Sequence, residues 1–151
     1  MKKFIPHLIA LLIFLAISAI YFSPVIGPGA KVLSAHDVDT WKGMSKEVCD
    51  HRDDTGEEAL WTKRMFSGMP AYQISTKSNG NLLQYIDKAL QLGLPRPMNL
   101  LFLYLLGFYI LLLTLKIDYR LSIVGAIGFA FSSYFLIIIQ AGHMTKAHSI
   151  A

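Results

Sequence analysis

The stretch MNLLFLYLLGFYILLLTL, residues 98–115, decides the fold of this chain because it contains no charged side chain. An α-helix rises about 1.5 Å per residue, so this stretch extends about 27 Å, close to the roughly 30 Å of hydrocarbon in a bilayer. Two further uncharged stretches occur at residues 4–30 and 121–145. The sequence therefore predicts a membrane protein with three transmembrane helices.

Composition supports the same class. Hydrophobic residues make up 54% of the 151 residues and charged residues only 16%, whereas soluble domains average about a quarter charged. The formal net charge of +4 would suggest nucleic-acid binding, but residues 23–96 hold nine Lys/Arg and nine Asp/Glu, which cancel. No basic patch remains, so the sequence predicts no nucleic-acid partner.

The basic residues on short flanks predict the orientation. Lys2 and Lys3 precede the first apolar stretch, and Lys116 and Arg120 lie between the second and the third. Such short basic flanks favour the cytoplasmic side. We therefore expect a multi-pass protein of the inner (plasma) membrane with a cytoplasmic N-terminus. A cleaved signal peptide is the alternative for the first stretch, but the apolar run exceeds the usual length and no clear A-x-A site follows.

The predicted fold is all-α and polytopic, with a large, partly helical external loop. Its predicted segments are a first transmembrane helix at 1–22, an external loop with amphipathic helices at 23–97, a second transmembrane helix at 98–115, a cytoplasmic turn at 116–120, a third transmembrane helix at 121–139, and an external segment at 140–151. None of the three predicted spans has an Asp, Glu, Lys or Arg in its interior. Because intramembrane charges mark ion and proton pathways, this argues against a channel or a proton-coupled transporter.

Small residues in the third predicted span indicate helix packing. Ser122, Ala126 and Ala130 recur every four residues, and small side chains let helices approach closely in lipid. In the loop, two amphipathic helices are predicted, one at 39–52 and one containing Leu83, Ile86 and Leu90. The second helix lies on the membrane surface or packs on the loop's own core, and its sequence suits both equally.

Two polar clusters follow the first and third predicted spans and would meet at one outer surface. They are His36, Asp37 and Asp39, and Gln140, His143, Lys146 and His148. Carboxylates can take a proton or hold a divalent cation, while Lys and His can neutralise phosphate. The clusters together would suit transfer from a phosphorylated lipid carrier.

Each cluster also has a structural interpretation. An N-cap role at the 39–52 helix explains Asp37 or Asp39 equally well. The five-residue spacing of His143 and His148 aligns poorly on one helical face, which disfavours a metal site there. Lys146 fits a simple anchor at the membrane interface.

Four motifs carry a family resemblance. They are KKFIPHL at 2–8, DxxxWKGM at 37–44, LWT at 60–62 with MFSGMPAY at 65–72, and AGHxxKAH at 141–148. These motifs, spread over essentially the whole chain, resemble bacterial YfhO-type membrane proteins. That family is similar to the GT-C glycosyltransferases, which take a sugar from a polyprenyl-phosphate carrier and place an acidic residue in the first external loop.

The resemblance implies a function for the chain. Asp37 matches the catalytic acid by position, and Asp39, His143, Lys146 and His148 are the implied substrate-binding residues. A divalent cation is the cofactor that such an acid could hold, but no metal ligands can be assigned. Family members are several times longer, so we expect this chain to be an N-terminal portion whose partners are the bilayer, a lipid-linked sugar donor and further transmembrane helices.

A second hypothesis belongs to another functional class. In it, the chain is a non-catalytic membrane scaffold or transport-associated protein whose external loop binds a partner. The apolar, aromatic stretch at 61–74 indicates by itself only that the loop folds against something apolar.

Overall fold

The computed structural model describes residues 4–26, 36–75 and 81–151. Their elements, in chain order, are the helices α1 (Ile5–Ile26) and α2 (His36–Thr55), the strands β1 (Trp61–Thr62) and β2 (Met69–Pro70), a 3-10 turn (Ala71–Gln73), and the helices α3 (Leu83–Leu90), α4 (Met98–Thr114), α5 (Tyr119–Ala130), α6 (Ser133–Ala141) and α7 (Met144–Ile150). The prediction of a mainly helical chain is confirmed. The basic flank at Lys2 and Lys3 lies outside the described residues.

The chain divides into two compact units. The first, which we call the bundle, comprises residues 1–34 and 83–151 and contains α1 and α3 to α7. The second, which we call the loop unit, comprises residues 35–82 and contains α2, the two strands and the 3-10 turn. The predicted external loop at 23–97 is therefore divided, because α3 belongs to the bundle.

Helix α4 lies at the centre of the bundle. Its residues from Met98 to Leu105 are all buried, and so is Tyr109. Tyr109 packs edge-on against Phe14 of α1, and Phe108 stacks on Phe129 of α5 with ring centroids 4.1 Å apart. This apolar core forms where the sequence predicted the second span, and the helix ends within one residue of the predicted boundary at 115.

Helix α1 continues past its predicted end at residue 22. A proline in a helix interior usually kinks or ends the helix, yet Pro24 lies inside α1. Proline has no N–H to donate to the carbonyl four residues earlier, which is that of Ile20. The Ser23 hydroxyl donates to this carbonyl at 2.8 Å instead, so the hydrogen bond that Pro24 cannot make is replaced locally.

The predicted third span at 121–139 is broken into α5 and α6, which are bent by 52°. Between them, Ser132 has φ −56° and ψ 132°, an extended conformation outside the helical region. Serine competes with helical geometry through local hydrogen bonds, and Gly/Ser pairs are common at helix kinks. The pair Ser132–Ser133 was the overlooked signal in the sequence.

The external segment predicted at 140–151 is largely a helix that packs on the bundle. Gly142 ends α6 with φ 85°, a left-handed conformation that glycine adopts without a Cβ clash. The chain then turns into α7, whose Ala147 is buried in the core. This part of the chain therefore belongs to the folded bundle.

Among the described helices, α1 alone is long and apolar enough to cross a membrane. If the bent pair α5–α6 is counted as one span, the number of candidate spans rises to two. Helix α4 is apolar but has only 17 residues. Only 22% of the most apolar window of α1 is buried. Its exposed side chains include Leu8, Leu12 and Ile20, so α1 differs from the buried core helix of a soluble protein.

The loop unit is organised around α2. The short antiparallel pair matches Trp61 with Pro70 and Thr62 with Met69. Glu47 of α2 accepts hydrogen bonds from the Thr62 hydroxyl at 2.8 Å and from the Lys63 N–H at 3.1 Å. Trp41 donates its indole N–H to the carbonyl of Ile74 at 3.0 Å. These contacts attach both ends of the 61–74 segment to α2.

Candidate functional site

A chain of polar side chains lies at the end of the bundle where α4 begins, which we call the Met98 end. His148 Nδ1 of α7 lies 2.9 Å from a carboxylate oxygen of Asp87 in α3. The other carboxylate oxygen of Asp87 accepts from Gln91 at 2.6 Å. Gln91 in turn accepts from the amide of Asn99, at the start of α4. We call His148, Asp87, Gln91 and Asn99 the polar chain.

The inner end of the polar chain is deeply buried. Asn99 is 2% exposed, and its side-chain oxygen has no hydrogen-bond partner among the described residues. At the outer end, His148 is half-buried. A carboxylate bound to one ring nitrogen of a histidine fixes the orientation of the ring and leaves the other nitrogen to act on a second group. The polar chain could therefore hold or move a proton, or bind an anion at the His148 ring.

An apolar cleft of about 250 Å³ lies where α1 and α6 both finish. Its walls come from these two helices: Tyr21, Phe22, Pro24, Val25, Leu136, Ile139 and Gln140. Tyr21 and Gln140 bring polar groups to a lining that is otherwise apolar. The bundle thus has an apolar cleft in addition to the polar chain.

The sequence-predicted residues fall into two groups, one in each unit. Asp37 and Asp39 lie in the first turn of α2 in the loop unit, and both are exposed. Asp39 forms an exposed ion pair with Lys42 at 3.6 Å. The N-cap interpretation of these residues is wrong, because α2 begins at His36 and both carboxylates are already inside the helix, where the positive end of the helix dipole favours negative charge. The side chain of His36 lies outside the described part.

The remaining predicted residues lie in the bundle. His143 precedes α7 and is exposed, as is Lys146, while His148 is half-buried in the polar chain. Gln140 lines the cleft. Within residues 4–26, 36–75 and 81–151, no three His, Cys, Asp or Glu side chains are grouped to hold a metal ion.

Sequence reasoning missed Asp87, Gln91 and Asn99. Asp87 and Gln91 show the four-residue spacing of a helical pair, which was the available signal, but Asp87 is 61 residues from His148. Sequence reasoning also missed His7, whose Nδ1 lies 2.8 Å from the hydroxyl of Tyr109. His7 and Asn99 are polar residues inside apolar stretches, and this was the available clue to their contacts.

The ionisable groups with shifted pKa values in the loop unit are explained by its hydrogen bonds. The hydrogen bond from Thr62 is the largest cause that lowers the pKa of Glu47, assisted by the Lys63 N–H. The hydrogen bonds to Glu58 raise the pKa of Arg52, and the two side chains meet through paired contacts of 2.7 Å. Both features are structural, because they join α2 to the segment that follows it.

The described residues define a mainly helical protein, with one helix that could cross a membrane and a polar chain at one end of its bundle. No protein-family model, curated protein or solved structure matches the chain. The YfhO-type resemblance therefore remains a prediction that rests on the sequence motifs.

Proposed function

We propose that the chain is a three-span membrane protein and part of a transferase that moves a sugar from a polyprenyl-phosphate carrier to a cell-envelope acceptor. In this proposal α1, α4 and the bent pair α5–α6 cross the inner membrane. The loop unit and the Met98 end are external, and the turn at 116–120 is cytoplasmic. The apolar, exposed exterior of the helices supports the membrane setting, since lipid accepts side chains that water does not.

The observation that carries the transferase proposal is that the bundle has both an apolar cleft and the polar chain. A lipid-linked donor has a long apolar chain and a charged phosphate head, which these two features suit. His148 and Lys146 are the groups that would neutralise the carrier phosphate. The sugar-transfer chemistry itself comes from the family resemblance.

The reaction requires a base for the acceptor hydroxyl. As the acceptor oxygen bonds to the sugar's anomeric carbon, the bond from that carbon to the carrier phosphate breaks and the carrier leaves as a phosphate anion. The hydroxyl proton passes to Asp37 in this proposal. General-base catalysis of this kind contributes about 10²–10⁴-fold to a rate.

The experiment is Asp37→Asn in the gene at its full genomic length, with Asp39→Asn as the matched control. Both positions are exposed in the first turn of α2, so each variant loses a favourable interaction with the helix dipole, and Asp39→Asn also loses the exposed ion pair with Lys42. We expect normal expression of both variants, at least about a hundredfold lower sugar transfer for Asp37→Asn, and a smaller loss for Asp39→Asn, because its implied role is substrate binding. Undiminished transfer by the Asp37→Asn protein would remove Asp37 from the reaction.

A second function is supported by the surface of the loop unit. Phe66 is 84% exposed, and Leu60, Trp61 and Tyr72 are also exposed large apolar side chains. Exposed apolar groups of this size often mark protein-binding surfaces. If the loop unit is a docking module of a scaffold, Phe66→Ser should abolish partner cross-linking, while Asp37→Asn should leave the cell envelope unchanged.

A further inference from the structure

Helix α3 joins the bundle through polar side chains. Asp87 meets His148 of α7, and Gln91, just beyond the helix, meets Asn99 of α4. No residue of α3 is buried. The helix is therefore fixed to the Met98 end of the bundle along a polar edge.

The apolar row of α3 is uncovered. Leu83, Ile86 and Leu90 are 69%, 58% and 45% exposed. At about 100° per residue they fall within a sector of about 60° on the helix surface. In water such an apolar row would normally pack on a core. Here the contacts with the bundle are made by the polar side chains of Asp87 and Gln91 instead.

The three faces of α3 have a consistent order. By the same geometry, Asp87 and Gln91 lie about 70–110° from the middle of the apolar row, and Lys88 lies about 170° from it. A helix lying flat beside a membrane bundle needs this order: one edge toward the bundle, the apolar row toward the acyl chains and a charged row toward water.

Continuity with α4 indicates what covers the apolar row. The chain leaves α3 at Leu90 and enters α4 at Met98, with the exposed Arg96 just before it. If α4 crosses the membrane, its start lies near the bilayer surface. The connection between the helices then keeps α3 at the level of the headgroups, where the Arg96 side chain would reach lipid phosphate.

We propose that α3 is an interfacial helix, with Leu83, Ile86 and Leu90 inserted into the lipid at the Met98 end and Lys88 in water. The occupant of the apolar row is the bilayer. This inference rests on the membrane setting of the bundle and not on sugar transfer.

The test places a nitroxide on single cysteines in the Cys49→Ser protein, reconstituted as the full chain in vesicles of phosphatidylcholine and phosphatidylglycerol. Ile86→Cys probes the apolar row and Lys88→Cys is the matched control on the same helix. We expect the label at 86 to collide several-fold more often with oxygen, which concentrates in lipid, than with a water-soluble nickel chelate. The label at 88 should show the reverse preference.

A third label, at Ala16→Cys on the exposed side of α1, separates two kinds of failure. Access of nickel to residue 86 while residue 16 remains in lipid would overturn the interfacial helix and leave the membrane span intact. Access of nickel to residue 16 would overturn the membrane setting itself. A label at 86 shielded from both reagents would also refute the proposal, because protein would then cover the row. Leu83→Cys repeats the measurement if the change at Ile86 disturbs folding.

Discussion

Gly68 is subject to two constraints at once. Its φ is 121°, which a residue with a side chain rarely adopts, and an added Cβ would lie 2.5 Å from the indole nitrogen of Trp61. The glycine and proline predict a turn at Gly68-Met69-Pro70, but Met69 and Pro70 lie in β2, so the chain reverses before them, between residues 62 and 69. The packing of Trp61 over Gly68 could not be predicted, because it depends on the register of the two strands.

Gly68→Ala should destabilise the loop unit by more than about 1 kcal/mol, since alanine is strained at positive φ. Gly43→Ala is the matched control, because Gly43 lies within α2 and a Cβ there meets nothing within 4 Å. That change should stabilise α2 by up to about 1 kcal/mol. Both tryptophans, Trp41 and Trp61, lie in the loop unit, so urea unfolding followed by their fluorescence measures it. Equal stability of the two variants would contradict this packing.

The polar chain also shows how far residue-level prediction extends. His148 was selected from the sequence because it follows an apolar span beside Lys146. Its contact with Asp87 brings together helices far apart in sequence, and no local spacing encodes such a contact. The chemistry of the candidate site was therefore only partly predictable.

Helix α1 presents one buried row to the bundle. Ala10, Phe14, Ser18 and Phe22 recur every four residues and are all buried, whereas Ala16 is exposed. The helix is apolar on all sides, so its hydrophobicity could not predict which row is buried. By contrast, the row Ser122, Ala126 and Ala130 of α5 was predicted from its small residues, and its burial is confirmed.

Ala10→Leu should lower the free energy of unfolding of the bundle by about 1–3 kcal/mol, because the added methylenes overpack a site that is fully buried. Ala16→Leu makes the same chemical change on the exposed side of the same helix and should have little effect. Helical circular dichroism during a detergent unfolding titration measures both. If the two variants unfold alike, the row at Ala10 does not face the bundle.

The boundaries of α4 were predictable because its apolar run is unbroken and lies between Pro97 and the charged Lys116. The break between α5 and α6 was not, because the hydropathy of residues 121–139 is continuous through it. Helix α7 was missed for a different reason. Its sequence is too short and polar to predict a helix, and its burial of Ala147 against the core helps hold it in place.

The whole molecule consists of a bundle with an apolar exterior and a loop unit that holds six Lys/Arg and eight Asp/Glu. The sequence shows the alternation of apolar and polar segments. The basic flanks of the apolar segments predict which side of the membrane each polar segment faces. The central claim is that α4 and the pair α5–α6 each cross the membrane, with the turn at 116–120 on the side opposite the loop unit.

Labelling of single cysteines with a membrane-impermeant maleimide tests this claim most directly. In a Cys49→Ser background, the variants are Asp54→Cys in the loop unit, Lys116→Cys in the turn and Lys146→Cys in α7, and all three native side chains are exposed. The proposed topology predicts labelling at residues 54 and 146 in intact cells and at residue 116 only after the inner membrane is opened. Labelling of residue 116 together with 54 and 146 in intact cells would contradict the three-span topology.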